Sequence, residues 1–272
     1  MLEAEPLPGT PEEIASAPTA LAVEHFSKEY EKMRAVNDLS FSVARGEILG
    51  LVGPNGAGKT TTLRSIAGIL PLQHGRVTIC GRDLASDEVG AKRNLAWIPD
   101  DPQPFDSLTV EEHLRFTAAL YGVAEWKPRA DLLLARFELV EKRRALGGEL
   151  SRGMRQKLAF CGAWLPRPGV VLMDEPLSGL DPRGIRAAKE AIRDLAREGT
   201  AVILSSHLLE LIEELAHRIL ILDRGRKVFV GTLREARSSL AARDGSSLEE
   251  IFLAVTEGAR GEWASPLENT PS

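Results

Sequence analysis

The sequence predicts an α/β fold, with a mostly parallel sheet core, antiparallel strands towards the N-terminus and an inserted helical subdomain. Three observations predict it. Short, continuously apolar runs at 48–52, 170–173, 201–204 and 219–222 have the length and composition of strands covered on both faces. Helical patterns at 182–197 and 208–216 separate the last three runs, and strands alternating with helices imply parallel neighbours. A glycine-rich stretch follows the first run and opens a further helical pattern.

Taken in order, residues 1–19 form an acidic, proline-bearing leader (Glu3, Glu5, Pro6, Pro8, Pro11, Glu12, Glu13) that is expected to be disordered. It has neither the basic start nor the apolar centre of a secretory signal. Residues 21–26 and 39–43 alternate as half-buried strands do. Gly46-Glu47 turns into the apolar strand 48–52, then the glycine-rich loop and a helix from Lys59 to about Gly68. Residues 75–80 and 95–98 read as two more strands. From about 107 to 165 the pattern is helical, which sets the inserted subdomain at about 105–166 within a main domain of 20–231. Residues 232–272 form a C-terminal helical tail. There Ser246 and Glu249 have capping-box spacing, and Leu248, Ile251, Phe252 and Val255 share one helical face.

Of the 272 residues 43% are hydrophobic and 27% charged, the balance of an ordinary globular protein, and the net charge of −5 weighs against a dedicated nucleic-acid binder. The basic cluster Lys142-Arg143-Arg144 is expected to be a solvated helix end. Cys80 and Cys161 form no CxxC pair, so neither a zinc site nor a disulfide framework is indicated, and a reducing compartment fits. No stretch approaches the roughly 18 uncharged apolar residues needed to span a bilayer. The chain by itself reads as soluble.

The strongest chemical signal is Gly53-Pro54-Asn55-Gly56-Ala57-Gly58-Lys59-Thr60-Thr61, which fits G-x-x-x-x-G-K-[ST] between a strand and a helix. Several backbone N–H groups must converge on phosphate oxygens there, and glycines keep side chains out of the way. The helix N-terminus favours the anion. Lys59 is placed to reach the β- and γ-phosphates, and the Thr60 hydroxyl to bind Mg²⁺. The run ending in Asp174-Glu175 delivers two carboxylates at one end of the sheet, where Asp174 can hold Mg²⁺. Alternation along the strand points Glu175 the other way, leaving it free to act as the base for an attacking water. Ser205-Ser206-His207 brings a histidine to the same edge, for contact with the γ-phosphate and the water. The other four histidines have no such context.

In this order the motifs resemble the nucleotide-binding subunit of ABC transporters over about residues 21–231. Gly53 to Thr61 looks like its Walker A motif, Leu172 to Glu175 like Walker B with the catalytic glutamate, Ser178-Gly179-Leu180-Asp181 like the D-loop, and His207 like the switch histidine. The resemblance implies a P-loop NTPase fold, ATP and Mg²⁺ as cofactors, and Tyr30, upstream of the first strand pair, stacking on adenine. Leu150-Ser151-Arg152-Gly153-Met154 is similar to the family's signature LSGGQ, whose role implies that Ser151 and the Gly153 amide serve the γ-phosphate held by a second subunit. Arg152 and Met154 depart from that pattern. A second departure is Asp100, after Ile98-Pro99, which stands where the family has a Mg²⁺-sensing glutamine, although a carboxylate there can reach the ion through water.

What the resemblance implies is an ATP-hydrolysing subunit that pairs with a second such subunit around two Mg-ATP. It would drive export through a separate transmembrane permease, peripheral on the cytoplasmic face of the plasma (inner) membrane. Both departures and the C-terminal tail look like an exporter branch of that kind. Three rivals are weighed against this, and each lacks support in the residues. Ribosome- or DNA-acting relatives carry two domains or long coiled-coil insertions, which are absent from the sequence. A non-hydrolysing regulatory subunit would not need Glu175 and His207. A small-molecule kinase would leave Ser178 to Asp181 and His207 without a task.

Overall fold

The computed structural model describes residues 9, 11–31, 33–239, 248–250 and 252. Part of the expected leader is ordered: α1 (Pro11–Ser16) buries Ile14. Strands β1 (Thr19–Tyr30) and β2 (Met33–Ala44) then pair antiparallel, interrupted by several register shifts. Both run longer than their alternating stretches, because those irregularities break the period-two pattern without breaking the ladder.

The core begins with β3 (Ile48–Val52) and α2 (Lys59–Ile66), which stops before Gly68 takes a left-handed φ of 64°. Next come β4 (His74–Ile79), β5 (Arg82–Asp83), the short α3 (Glu88–Lys92) and β6 (Leu95–Ile98). The helical section that follows is not one run. Helix α4 (Val110–Tyr121) starts at a Thr109–Glu112 capping box and ends at Gly122, with φ 71°. Helix α5 (Trp126–Arg136), two 3₁₀ turns and α6 (Arg152–Trp164) complete it. The chain then alternates through β7 (Val170–Asp174), α7 (Pro182–Arg197), β8 (Ala201–Ser205), α8 (Leu209–Leu215) and β9 (Arg218–Asp223). Strand β10 (Arg226–Gly231) and α9 (Leu233–Ser239) follow.

Two sheets result. One is antiparallel, in the order β2-β1-β4-β5, and the other has six strands in the order β10-β9-β3-β8-β7-β6. Every pairing in the six-stranded sheet is parallel except β9 with β10. The inner strands β3, β7 and β8 are buried at every position, as apolar runs covered on both faces must be. Side chains leave them alternately to two cores. Ile48, Val52, Val171, Met173, Val202 and Leu204 join the helices α4 to α8. Leu49, Leu51, Val170, Leu172, Ala201 and Ile203 join α2 and the antiparallel sheet.

Of the expected tail helix, Leu248 is buried and Phe252 packs against the helical core. Of its other members, Ser246, Ile251 and Val255 lie outside the described residues, as do residues 1–8 and 10 of the leader and the rest of 240–247 and 253–272.

Candidate functional site: a phosphate loop and the acids beside it

Parallel strands put their C-terminal ends on one edge, and the chain places its chemistry there. The loop 53–58 leaves β3, Asp174 ends β7, and Ser205 ends β8 in register with it. Gly58 N-caps α2 with φ 100°, and a side chain there would place its Cβ 2.6 Å from the Ala35 carbonyl oxygen. Only glycine satisfies both conditions. Gly58→Ala is expected to destabilise the chain by about 1–3 kcal/mol and to weaken nucleotide binding with it. Thermal unfolding with and without nucleotide checks this, and unchanged values in both would disprove it.

The Lys59 ammonium folds back over its own loop, donating to the carbonyls of Gly53 at 2.6 Å and Pro54 at 3.2 Å. Burial pulls its pKa below the usual lysine value, while the charges of Glu175 and Asp174 oppose the shift. A pocket of about 430 Å³ opens over the loop, lined by Asn55 to Thr61 together with Tyr30, Met33, Arg34, Ala35 and Arg224. Tyr30 is therefore at the loop, but not upstream of a strand pair. It is the last residue of β1, at the turn into β2, and is 40% exposed with the Lys28 ammonium 5.7 Å from its ring centre.

Asp174 is almost fully buried, and its two oxygens accept from two hydroxyls, Thr60 at 2.9 Å and Ser205 at 2.9 Å. A buried carboxylate touching the hydroxyl of the phosphate-loop threonine is a hard oxygen pair that suits Mg²⁺. The Ser205 bond fixes the carboxylate, and the sequence reading gave Ser205 no role. Glu175 is not aimed by strand alternation. It lies one residue past β7 in the left-handed region at φ 49°, its N–H donating to Ser205 O. That backbone step turns its carboxylate towards residues 206–207. One oxygen accepts from the His207 N–H at 2.8 Å, while the other lies 2.7 Å from His207 Nδ1 and accepts from Ser206 Oγ at 3.2 Å.

Ser151 N-caps α6, accepting from the Met154 N–H. Among the described residues no hydrogen bond or ion pair joins Ser151 or Gly153 to the loop 53–61, and neither lines its pocket. Gly153 instead sits so close to the turn after β7 that a Cβ would meet Gly179 O at 2.6 Å. Asp100 is paired with Arg152 at 3.1 Å, and the same guanidinium nitrogen donates to Ser178 Oγ at 2.7 Å. The departure at Asp100 and one of the two in the signature segment thus touch each other. The neighbouring contact of Arg155 with Asp101, at 3.6 Å, escaped the sequence reading. Its only trace there is the pairing of adjacent acids with arginines three apart on a helix.

A phosphate loop between β3 and α2, acids at the end of β7 and a mostly parallel six-stranded sheet define a P-loop NTPase domain of the ABC ATPase type. The sequence profile of the ABC transporter family matches residues 36–178. The chain belongs to that family, as an ATP-binding subunit of a transporter system. The ABC-type transporter ATP-binding protein EcsA of Bacillus subtilis (strain 168) is 32% identical over 243 residues, covering 89% of this chain and 98% of that one. The Nod factor export ATP-binding protein I of Paraburkholderia xenovorans (strain LB400) is 35% identical, covering 92% and 82%. A solved structure described as the ATP binding subunit of an ABC transporter superposes with a TM-score of 0.84 at 36% identity, over 88% of this chain and 100% of that one. The cbiO1 protein of Clostridium perfringens, part of the cbiONQ complex, shares the fold at a TM-score of 0.69 and 24% identity, over 82% and 92%. ATP-binding subunits of this family are ATPases that work with membrane permeases. No helix among the described residues is long and apolar enough to cross a membrane.

Proposed function

We propose that the chain hydrolyses ATP to drive export through a separate permease, pairing head-to-tail with a second copy or close homologue around two ATP molecules. The observation that carries this reading is the division of the site. Loop, acids and histidine gather at one sheet edge, whereas Ser151 and Gly153 lie away from it. A complete enclosure of the nucleotide then takes two chains, each lending its α6 start to the other's phosphates.

In this scheme the N–H groups of 53–61 and the Lys59 ammonium bind the phosphates, and Tyr30 stacks on the base. Stacking of that kind contributes roughly 1–3 kcal/mol. Thr60 and Asp174, with Asp100 through water, would hold Mg²⁺, which supplies charge neutralisation on the transferring phosphoryl group. Glu175 orients the attacking water and takes its proton, while His207 holds that carboxylate from two sides and faces the terminal phosphate. Lys59 stabilises the charge that develops.

The permease would dock on the helical side. A groove of about 280 Å³ there is lined by Trp97, Pro99, Gln103, His113, Leu120 and Tyr121, with Phe105 and Phe116 exposed close by. Such attachment would make the chain peripheral on the cytoplasmic face of the plasma membrane. The export direction rests on relatives named for export or for linearmycin resistance.

Pairing is testable directly. In a Glu175→Gln background, Mg-ATP is expected to double the molar mass read by light scattering, and adding Ser151→Arg is expected to abolish the doubling. A monomer at saturating ATP, or a dimer indifferent to Ser151→Arg, would sink the shared-site reading. Co-purification of a polytopic membrane protein with the chain from detergent extract tests the transport assignment separately.

A further inference from the structure

The start of α6, the loop after β6 and the turn after β7 meet around one side chain. Arg152 Nη2 donates to Asp100 Oδ1 at 3.1 Å and to Ser178 Oγ at 2.7 Å. Its stem lies against Gly179, which has φ 75°, and a Cβ on Gly179 would sit 3.1 Å from Arg152 Cγ and Cδ. One turn along α6, Arg155 reaches Asp101 at 3.6 Å and the Leu150 carbonyl at 3.3 Å. Two consecutive acids after β6 are thus matched by two arginines on one face of α6. A planar guanidinium suits this bridging, since its fork of donors can serve two acceptors at fixed angles.

We propose that Arg152 is a positioning residue. Gripping Asp100 and Ser178 together, it clasps the Ser151–Gly153 segment to the sheet edge in the nucleotide-free chain, with Arg155–Asp101 as the second tie. Arginine in place of the signature glycine and aspartate in place of the usual glutamine are then one compensated change. Neither acts alone. Arg152 and Asp100 are each about half exposed, at 48% and 51% of the side chain, so the pair adds little to global stability. Its effect is geometric: it sets where Ser151 and the Gly153 amide stand relative to Ser178. It also engages one oxygen of Asp100, Oδ1. The inference deepens the shared-site reading, because the positioned segment is the one that would meet a second chain's phosphate.

The test needs no turnover, so its failure and the failure of the ATPase reading are distinguishable. Amide hydrogen exchange is followed on the full chain without nucleotide or magnesium, for wild type, Arg152→Gln, Asp100→Asn and the double variant. Loss of the clasp is expected to speed exchange about threefold in 98–101 and 176–180 as well as in 150–156, the scale set by an exposed ion pair. The double variant is expected to exchange no faster than the faster single one. The clasp is overturned if Arg152→Gln loosens only its own segment, if it loosens none, or if the two single effects multiply in the double variant.

Discussion

Glu175→Gln is expected to lower ATP turnover by about 10²–10³-fold while leaving nucleotide affinity within a few-fold of wild type. The size is that of losing one positioned general base. Affinity should survive because, among the described residues, no hydrogen bond or ion pair joins Glu175 to the loop 53–61, and only its charge is felt at Lys59: its carboxylate is engaged by the His207 N–H and ring and by Ser206. Glutamine keeps the shape and can still accept from the His207 N–H, so the fold should hold and the comparison isolates chemistry. Phosphate release measured beside equilibrium nucleotide binding separates the two quantities. Turnover within a few-fold of wild type would remove Glu175 from the role of base.

Lys59→Ala carries the second large effect, now on binding. Charge-assisted bonds to two phosphates are worth about 1.5–3 kcal/mol each, so affinity for ATP is expected to fall by at least about 10²-fold, taking turnover with it. Stability should move the other way or not at all. Burial lowers the pKa of this ammonium, so over the interval between the lowered pKa and the ordinary lysine value the unfolded chain binds the proton more tightly than the folded one. The charge is thus a cost to the empty loop, in full force below the lowered pKa, and stability rises with pH as that cost fades. At neutral pH the alanine variant without nucleotide should melt no lower than wild type, and its melting temperature should lose the alkaline rise that Lys59 contributes. A drop of many degrees would mean that the lost binding reports unfolding instead.

The fold was legible where backbone chemistry leaves a local mark. Strands β3, β7 and β8 are apolar at nearly every residue because both faces are covered, and the phosphate loop announces itself through glycines, lysine and threonine in fixed order. The short elements were not legible. Strand β5 has two residues and α3 has five, too few for any period to show, although their partners are near in sequence: β5 pairs with β4, and Asp87 caps α3. Helices α4 to α6 were seen as a single helical stretch, yet the capping box at Thr109 and the glycine at 122 that divide it can be found by eye.

At the site, residue types were readable and directions were not. Asp174 and Glu175 are adjacent acids in the sequence, but Glu175 has a left-handed φ, and the two carboxylates meet different partners, Thr60 and Ser205 against Ser206 and His207. The hydroxyls of Ser205 and Ser206 could not be assigned to the two carboxylates before the pairing of β7 with β8 was known. The Arg152–Asp100 contact spans 52 positions, and nothing local to either residue points to the other.

Parity along β3 offers a practical handle. Ile48 and Leu49 are neighbours in the chain, yet one belongs to the α-helical half and the other to the half built on the antiparallel sheet. Paired truncations at these adjacent positions, Ile48→Val and Leu49→Ala, would perturb each half in isolation. A single pentapeptide could thereby serve as a two-channel gauge of which side yields first.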